Sequence, residues 1–221
     1  MMKKPLTLSL LLLTLTLPAL QGCVPAVIAT GAAVGVMSIH DRRSTGTQTD
    51  DEASEWKARA AVPDAVKASS RVNFTSYNRR LLITGEVPDE ATKATVEQEA
   101  RKIIGVREIY NELGIGPVSP LPSRSNDSFI DSKVKARLVD SNQVSANHIK
   151  VVTERGITHL MGIVTEREAK VAISVARTTA GVRKVVNLLE ILPDAEVRRL
   201  DTQALNRPQQ AAPAPSPVEI R

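Results

Sequence analysis

The stretch from His148 to Leu192, HIKVVTERGITHLMGIVTEREAKVAISVARTTAGVRKVVNLLEIL, occurs twice in this chain. The earlier copy runs from Arg71 to Ile115 as RVNFTSYNRRLLITGEVPDEATKATVEQEARKIIGVREIYNELGI. Gly85 matches Gly162, 77 residues later, and after a one-residue deletion the spacing becomes 76. A repeat of this length indicates a duplicated domain and not a solenoid unit.

Each copy alternates between the periods of strands and helices. In the first domain, residues 51–116, we expect a helix that ends at Pro63, a hairpin of strands 71–77 and 80–87, a helix over 89–104 and a strand over 106–115. In the second domain, residues 125–193, Asn126-Asp127-Ser128 is expected to cap the first helix. A hairpin of strands 149–153 and 157–164, a helix over 166–180 and a strand over 182–192 follow.

The predicted class is therefore α+β. Two tandem domains each have the order helix, strand, strand, helix, strand, with two helices on one face of a three-stranded sheet. Gly85 and Gly162 interrupt the second strands. Glycine inside a strand often marks the close approach of another element, here expected to be a covering helix.

The flanks predict delivery to the cell envelope. Residues 1–22 carry a basic start and an apolar run too short to span a membrane, as in a signal peptide. The only cysteine, Cys23, follows at once and is the expected lipidation site, which leaves no thiol for a disulfide. Residues 23–50 are expected to be a lipidated tether and linker, 117–124 a proline-rich linker, and 194–221 a disordered tail rich in Pro, Ala and Gln.

Composition argues against several classes of function. Aromatic residues make up 2% of the chain, too few for a base-stacking surface, so no nucleic-acid partner is expected. The three histidines, His40, His148 and His159, lack metal-ligand spacing, and His159 is expected on the surface of a sheet. No phosphate-binding glycine loop is present. We therefore expect no metal, no cofactor, no catalytic residues and no enzymatic activity.

Charge distinguishes the two copies. Residues 51–116 hold ten Lys and Arg against eleven Asp and Glu, whereas residues 125–193 hold ten against seven. One face of the helix over 166–180 carries a basic stripe of Arg167, Lys170, Ser174 and Arg177. The matching face of the first domain alternates in sign as Glu90, Lys93, Glu97 and Arg101. The stripe predicts either an anion-binding surface or an ordinary solvated face.

Three apolar features stand out. Phe129 lies about 100° from the expected buried stripe of Ile130, Val134 and Leu138, and shares its face with Ser132 and Lys133. It suits a membrane interface, or else the edge of the core or the other domain. Trp56 is expected to anchor the first core. The sheet face opposite the helices of the second domain is apolar, which predicts a domain interface of Ile157, Met161, Ile163, Val186 and Leu188.

Four motifs point to one family. They are LQGC at 20–23, GTQTDD at 46–51, SND at 125–127 and LMGIVTEREAK at 160–170. With the duplicated αββαβ order, the chain resembles the BON domain family, and in particular its dual-BON outer-membrane lipoproteins.

The resemblance implies a non-enzymatic protein, lipid-anchored on the periplasmic face of the outer membrane. It would bind anionic phospholipid through the second domain and support outer-membrane integrity, with a role at division sites and the outer-membrane barrel assembly machinery as a further partner. The expected phospholipid-binding residues are Ser128, Phe129, Ser132, Lys133, Lys135, Arg167 and Lys170. The alternative function is a periplasmic scaffold that binds an envelope assembly protein or peptidoglycan.

The first prediction concerns the anchor. Mass spectrometry of the mature protein should find an acylated N-terminal Cys23, because the motif LQGC follows an apolar signal segment. Cys23→Ala should release the protein into the soluble periplasmic fraction. A mature protein that begins at Met1, or an unmodified Cys23, would contradict the prediction.

Overall fold

A computed structural model of the chain describes residues 41–206. The first domain contains α1 (Thr45–Ala61), α2 (Asp64–Ser69), β1 (Arg71–Tyr77), β2 (Arg80–Val87), α3 (Glu90–Arg101), β3 (Glu108–Asn111) and β4 (Gly114–Ile115). The second contains α4 (Leu121–Ser141), a 3-10 turn (Ala146–His148), β5 (Ile149–Glu154), β6 (Ile157–Val164), α5 (Glu166–Arg177) and β7 (Lys184–Ile191), and α6 (Asp194–Leu205) follows. The expected signal peptide, Cys23, the tether up to residue 40 and the tail from residue 207 lie outside the described residues.

Both sheets have the same topology. The central strand, β2 or β6, pairs antiparallel with the strand before it in its hairpin. On its other side it pairs parallel with the strand that follows the second helix, β3 and β4 in the first domain and β7 in the second. The predicted α+β order is therefore observed in both copies.

The helices of each domain cover one face of its sheet. In the second domain Ile130, Val134 and Leu138 of α4 are fully buried against Leu160 and Val164 of β6. The inner face of α5 consists of the alanines at positions 169, 172 and 176, and small side chains let this helix lie close to the sheet. The first domain repeats the arrangement with a separate core of its own.

A buried carboxylate joins the first helix of each domain to its hairpin turn. Asp51 accepts hydrogen bonds from the backbone N–H groups of Asn78 and Arg79, both at 2.7 Å. Asp127 accepts the equivalent bonds from Arg155 and Gly156, both at 2.9 Å. All four turn residues have positive φ, as a two-residue hairpin turn requires.

The role of Asp127 corrects the expected start of the first helix in the second domain. The motif Asn126-Asp127-Ser128 does not cap a helix, because α4 begins earlier, at Leu121. Proline suits the first turn of a helix, where its missing N–H costs nothing, and Pro122 occupies that turn. The last four residues of the expected linker therefore belong to α4.

Structure also extends past both expected ends. The predicted linker includes residues 45–50, which form the start of α1, and the predicted disordered tail includes α6. Arg42 accounts for the regular structure at both ends, because it connects the segment before α1 to α5 and α6. Its guanidinium, 5% exposed, donates to Glu168 of α5 at 2.8 Å, to Asp201 of α6 at 2.7 Å and to the Ile163 carbonyl at 2.8 Å. Burial opposes ionisation of Glu168, but the hydrogen bonds from Arg42 hold its pKa below the usual range.

Several local expectations were wrong. Trp56 is 71% exposed, because Asp51, Ser54 and Ala58 form the inward face of α1. Gly85 and Gly162 accommodate the neighbouring strand and not a helix: a Cβ on Gly162 would lie 2.3 Å from the His148 carbonyl oxygen. The third strand of the first domain is split into β3 and β4, where the Asn111 side chain accepts a bond from the Leu113 N–H at 3.3 Å.

The second prediction concerns the carboxylate of Asp127. Asp127→Ala should lower the free energy of unfolding by about 2–4 kcal/mol, because two backbone donors lose a charged acceptor. Urea unfolding measures the change. Asp140→Ala, at an exposed position on the same helix, is the matched control and should change stability by less than about 0.5 kcal/mol. Equal losses in both variants would contradict this account of the hairpin turn.

Candidate functional site

Phe129 lies on the outside of α4 and is 62% exposed. The ammonium nitrogen of Lys133, one turn later, is 4.8 Å from the centroid of its ring. The same ammonium donates a hydrogen bond to the carbonyl of Ala180, just beyond the C-terminal end of α5. An exposed aromatic ring and a fixed cation therefore occupy one place on the surface.

Ser128 and Ser132 flank Phe129 and are exposed. Their hydroxyl groups donate to the backbone carbonyls of Arg124 and Ser128, at 3.2 and 3.1 Å. Both hydroxyl protons are therefore already used, and the side chains present acceptor oxygens at the surface. Lys135 is exposed on another side of α4, about 120° from Phe129. Its charge acts on the carboxyl group of Asp131. Burial raises the pKa of Asp131 to about 6, and the positive charge of Lys135 partly opposes this rise.

Arg137 was not among the expected site residues, although it holds the site together. Its guanidinium donates to the Val175 carbonyl at 3.0 Å and to the hydroxyls of Thr179 and Thr178 at 2.8 and 3.0 Å. Arg137 and Lys133 thus satisfy carbonyls at the C-terminal end of α5, where the helix dipole favours cations. Their spacing of four residues on α4 was the available signal.

Two further cations stand near this end of α5. Arg177 is its last residue, and Arg183 packs its side chain against Gly156 in the hairpin turn that Asp127 holds. Both are exposed. Within residues 41–206, no carboxylate forms an ion pair with Lys133, Arg177 or Arg183, so these three positive charges around the C-terminal end of α5 are not paired there.

Arg167 and Lys170 lie elsewhere. They belong to the N-terminal end of α5, whereas Lys133 meets its C-terminal end, and Arg167 is about 15 Å from Arg177 along the helix axis. Lys170 pairs with Glu166 at 2.7 Å. The structure therefore does not bring these two residues together with Phe129, and the predicted stripe is partly compensated.

The apolar sheet face of the second domain meets the first domain. Met161, Ile163 and Leu188 are buried in one cluster with Tyr77 and Leu82. Val186 packs at the margin of this cluster, together with Tyr110, Val152, Leu192 and Leu200. Ile157 lies outside it, in a cleft beside Gly85, Glu112 and Gly114.

Polar contacts surround this cluster. Arg71 pairs with Glu154 across the interface, and Glu190 accepts bonds from Asn78 and Arg107 at 2.7 and 3.2 Å. His159, expected on the surface of a sheet, is 1% exposed because the first domain covers that surface, and it lies 3.7 Å from Glu112. Burial lowers its pKa, because a charged imidazolium is costly in an interface.

Among residues 41–206 no group of three or more His, Cys, Asp or Glu side chains is arranged to hold a metal ion. No helix in that range is long and apolar enough to cross a membrane.

Comparison with known families agrees with the duplicated fold. The family model described as "BON domain" matches residues 50–117 and again residues 126–193. The chain belongs to the BON domain family. The resemblance inferred from the motifs and the predicted fold class are both confirmed.

Two relatives show the type of BON protein. The chain is 42% identical over 175 residues to "Outer membrane lipoprotein DolP" of Haemophilus influenzae, which covers 78% of this chain and 90% of that protein. It is 36% identical over 151 residues to "21 kDa hemolysin" of Actinobacillus pleuropneumoniae, covering 67% and 78%. The predicted dual-BON, outer-membrane lipoprotein type is confirmed by the first similarity, and with it the predicted localisation.

A third relative extends the family. "Osmotically-inducible protein Y" of Escherichia coli is 26% identical over 149 residues, covering 66% of this chain and 74% of that protein. The family match is to a domain, and the name of the first relative is that of a lipoprotein; neither indicates a catalytic activity.

The third prediction uses the pKa of Asp131, which one oxygen without a partner helps to explain. Burial raises this pKa from 3.8 to about 6 in the folded protein. Below pH 4 the carboxyl is protonated in both the folded and the unfolded state, so it does not change the free energy of unfolding. Between pH 4 and 6 the unfolded chain loses the proton first, so stability falls as pH rises, and the loss persists above pH 6.

Asp131→Asn should therefore be more stable than the wild type at pH 7.5 and not at pH 4. Urea unfolding at the two pH values measures the difference. Asp140→Asn, at the exposed position on the same helix, should follow the wild type at both. A gain for Asp131→Asn that is the same at pH 4 and pH 7.5 would show that the carboxylate charge is not its cause.

Proposed function

We propose that this protein binds anionic phospholipid at the periplasmic face of the outer membrane through α4 of its second domain. The observation that carries the proposal is Phe129, 62% exposed, with the Lys133 ammonium 4.8 Å above its ring. An aromatic ring suits the boundary between head groups and acyl chains, and a neighbouring cation suits the phosphate. Ser128 and Ser132 add polar surface at head-group level.

The magnitudes fit a weak, reversible contact. Inserting Phe129 contributes about 1.5–3 kcal/mol. Each cation near an anionic surface contributes about 1 kcal/mol, screened over a Debye length. Lys133, Arg177 and Arg183 would supply most of the charge, with Lys135 at the side. Arg167 and Lys170 would contribute only if the membrane also met the other end of α5.

A weak contact suits a lipid-anchored protein, because the anchor already holds it at the membrane and raises its local concentration there. On the basis of the family relationship, we extend the proposal to support of outer-membrane integrity, with a role at division sites. The chain acts in this proposal by binding and not as an enzyme.

A different occupant of the same surface remains the alternative. A periplasmic scaffold would use the Phe129 surface to meet an acidic envelope protein, such as the barrel assembly machinery, or peptidoglycan. Exposed aromatic residues beside cations also occur in protein interfaces. Pure lipid vesicles separate the two functions, because they contain no protein partner.

The fourth prediction is flotation of the unlipidated full chain, carrying Cys23→Ala, with vesicles. It should float with phosphatidylglycerol-rich vesicles and remain behind with zwitterionic ones. Phe129→Glu should abolish flotation at any salt concentration, because it removes the apolar insertion and adds a repelled charge. Lys133→Gln should weaken flotation, most at low salt.

Two variants serve as matched controls. Val139→Glu places the same charge at another exposed apolar position of α4, 52% exposed, and should leave flotation unchanged. Lys170→Gln removes a cation at the far end of α5 and should change it little. Equal flotation with both kinds of vesicle, or equal losses for Phe129→Glu and Val139→Glu, would reject this site. Absence of flotation with either vesicle favours the scaffold.

A further inference from the structure

A second candidate site lies in a cavity of about 450 Å³ between the first domain and the start of α4. Its walls are apolar and come from Val62, Val72, Phe74 and Val118. Its remaining lining residues are Arg59, Lys67, Ser70, Arg71 and Arg124, so none of the nine, all in the described part of the chain, is acidic. A half-open cleft of this size, with apolar walls and several polar groups, is within the range of small-ligand sites.

Two buried polar atoms in this lining lack partners. Nε of Arg124 and Oγ of Ser70 have no hydrogen-bond partner among residues 41–206. Buried polar groups in folded proteins nearly always have a partner, supplied by the protein, by ordered water or by a ligand. The guanidinium of Arg124 matches the oxygens of a carboxylate or a phosphate.

The four cations that line the cavity differ in whether a carboxylate pairs with them. Arg59 pairs with Glu55 at 3.1 Å, Lys67 pairs with Asp64 at 3.1 Å, and Arg71 pairs with Glu154. Arg124 forms no ion pair within the described chain. A ligand with one negative charge would complete the set, whereas a cationic ligand would meet four positive side chains.

We propose that this cavity binds a single-chain anionic amphiphile of the fatty-acid type. Its carboxylate pairs with the guanidinium of Arg124, and its alkyl chain lies against Val62, Val72 and Phe74. The volume admits one chain of moderate length, within the roughly 300–1,000 Å³ range of ligand pockets. The site would join the two domains, because Val118 and Arg124 come from the segment that enters the second.

This site is separate from the proposed membrane contact. Phe129 lies five residues beyond Arg124 on α4, which is about 140° around the helix axis. Vesicle flotation and amphiphile binding can therefore fail independently. Substitutions at Phe129 should leave the cavity intact.

The protein contains its own reporter of the cavity. Trp56 is the only tryptophan in the chain, and the Arg59 guanidinium lies 5.9 Å from the centroid of its ring. Because Arg59 also lines the cavity, a ligand that contacts Arg59 and moves its guanidinium should change the fluorescence of Trp56.

The test titrates dodecanoate, below its micelle concentration, into the unlipidated full chain. Trp56 fluorescence and isothermal calorimetry should both show saturable binding at one site. Dodecyl maltoside and dodecyltrimethylammonium, with the same chain and a neutral or positive head, should bind at least tenfold more weakly. Acetate, which has the carboxylate without the chain, should also be at least tenfold weaker.

Two variants test the residues. Arg124→Gln should weaken dodecanoate binding at least tenfold, and Val118→Phe, which narrows the cavity, should weaken it as well. Lys102→Gln removes an exposed cation of the same domain outside the cavity, and it should leave binding unchanged, as should Phe129→Glu. Circular dichroism melts confirm that each variant is folded.

Four results would overturn the proposal. They are no saturable binding by the wild type, equal affinity for the neutral head group, equal affinity in folded Arg124→Gln, and loss of binding in Phe129→Glu but not in Arg124→Gln. The last would place dodecanoate at the membrane contact instead.

Discussion

A single buried carboxylate in each domain fixes the first helix on the β-hairpin, and the rest of the domain is arranged around that contact. The positive-φ turn residues direct two neighbouring N–H groups toward one point, which a carboxylate fits with both oxygens. Since Asp127 points inward, Phe129, about 200° further around the helix, must point outward. The exposure of the proposed membrane residue thus follows from a constraint on the hairpin.

The two copies have kept this constraint and diverged in what their surfaces meet. The helix-covered faces form two separate cores, while the opposite sheet faces share one cluster in which Met161 meets Tyr77 and Leu82. The first domain therefore covers an apolar face that would otherwise be exposed to water. With that face occupied, the second domain has the outer surfaces of its helices left for other contacts.

Features that depend on period and duplication can be predicted from this sequence. The order of elements, the central strands and the apolar face of Met161 all follow from alternation of side chains in strands. Features that depend on a specific long-range partner cannot be predicted in this way. Asp127 has the composition of a helix cap, and only the distant hairpin turn shows its other role. Residues 194–205 lack a strong apolar pattern, and their helix is held by Arg42, more than 150 residues earlier.

The candidate site was recovered only in part for the same reason. Phe129 and Lys133 are one turn apart on one helix, so helical spacing was enough to join them. Arg167 and Lys170 belong to another helix, and the direction in which α5 crosses α4 cannot be read from either sequence segment. The contact of Lys133 with Ala180 fixes that direction. It places the C-terminal end of α5 beside Phe129, and not the N-terminal end that holds Arg167 and Lys170. Arg177 is the last residue of this helix and lies at that end.

The cations beside Phe129 are ordered before any partner arrives. A free surface lysine gives up about 1.5–2 kcal/mol of rotamer entropy when it is fixed. Lys133 is held by the Ala180 carbonyl and the Phe129 ring, and Arg137 by carbonyl and hydroxyl oxygens of the α5 terminus, so much of that loss has occurred on folding. Preorganisation of this kind leaves more of the electrostatic attraction available for binding. The same side chains stabilise a helix end and present charge, which couples the fold of the second domain to the surface we propose for lipid.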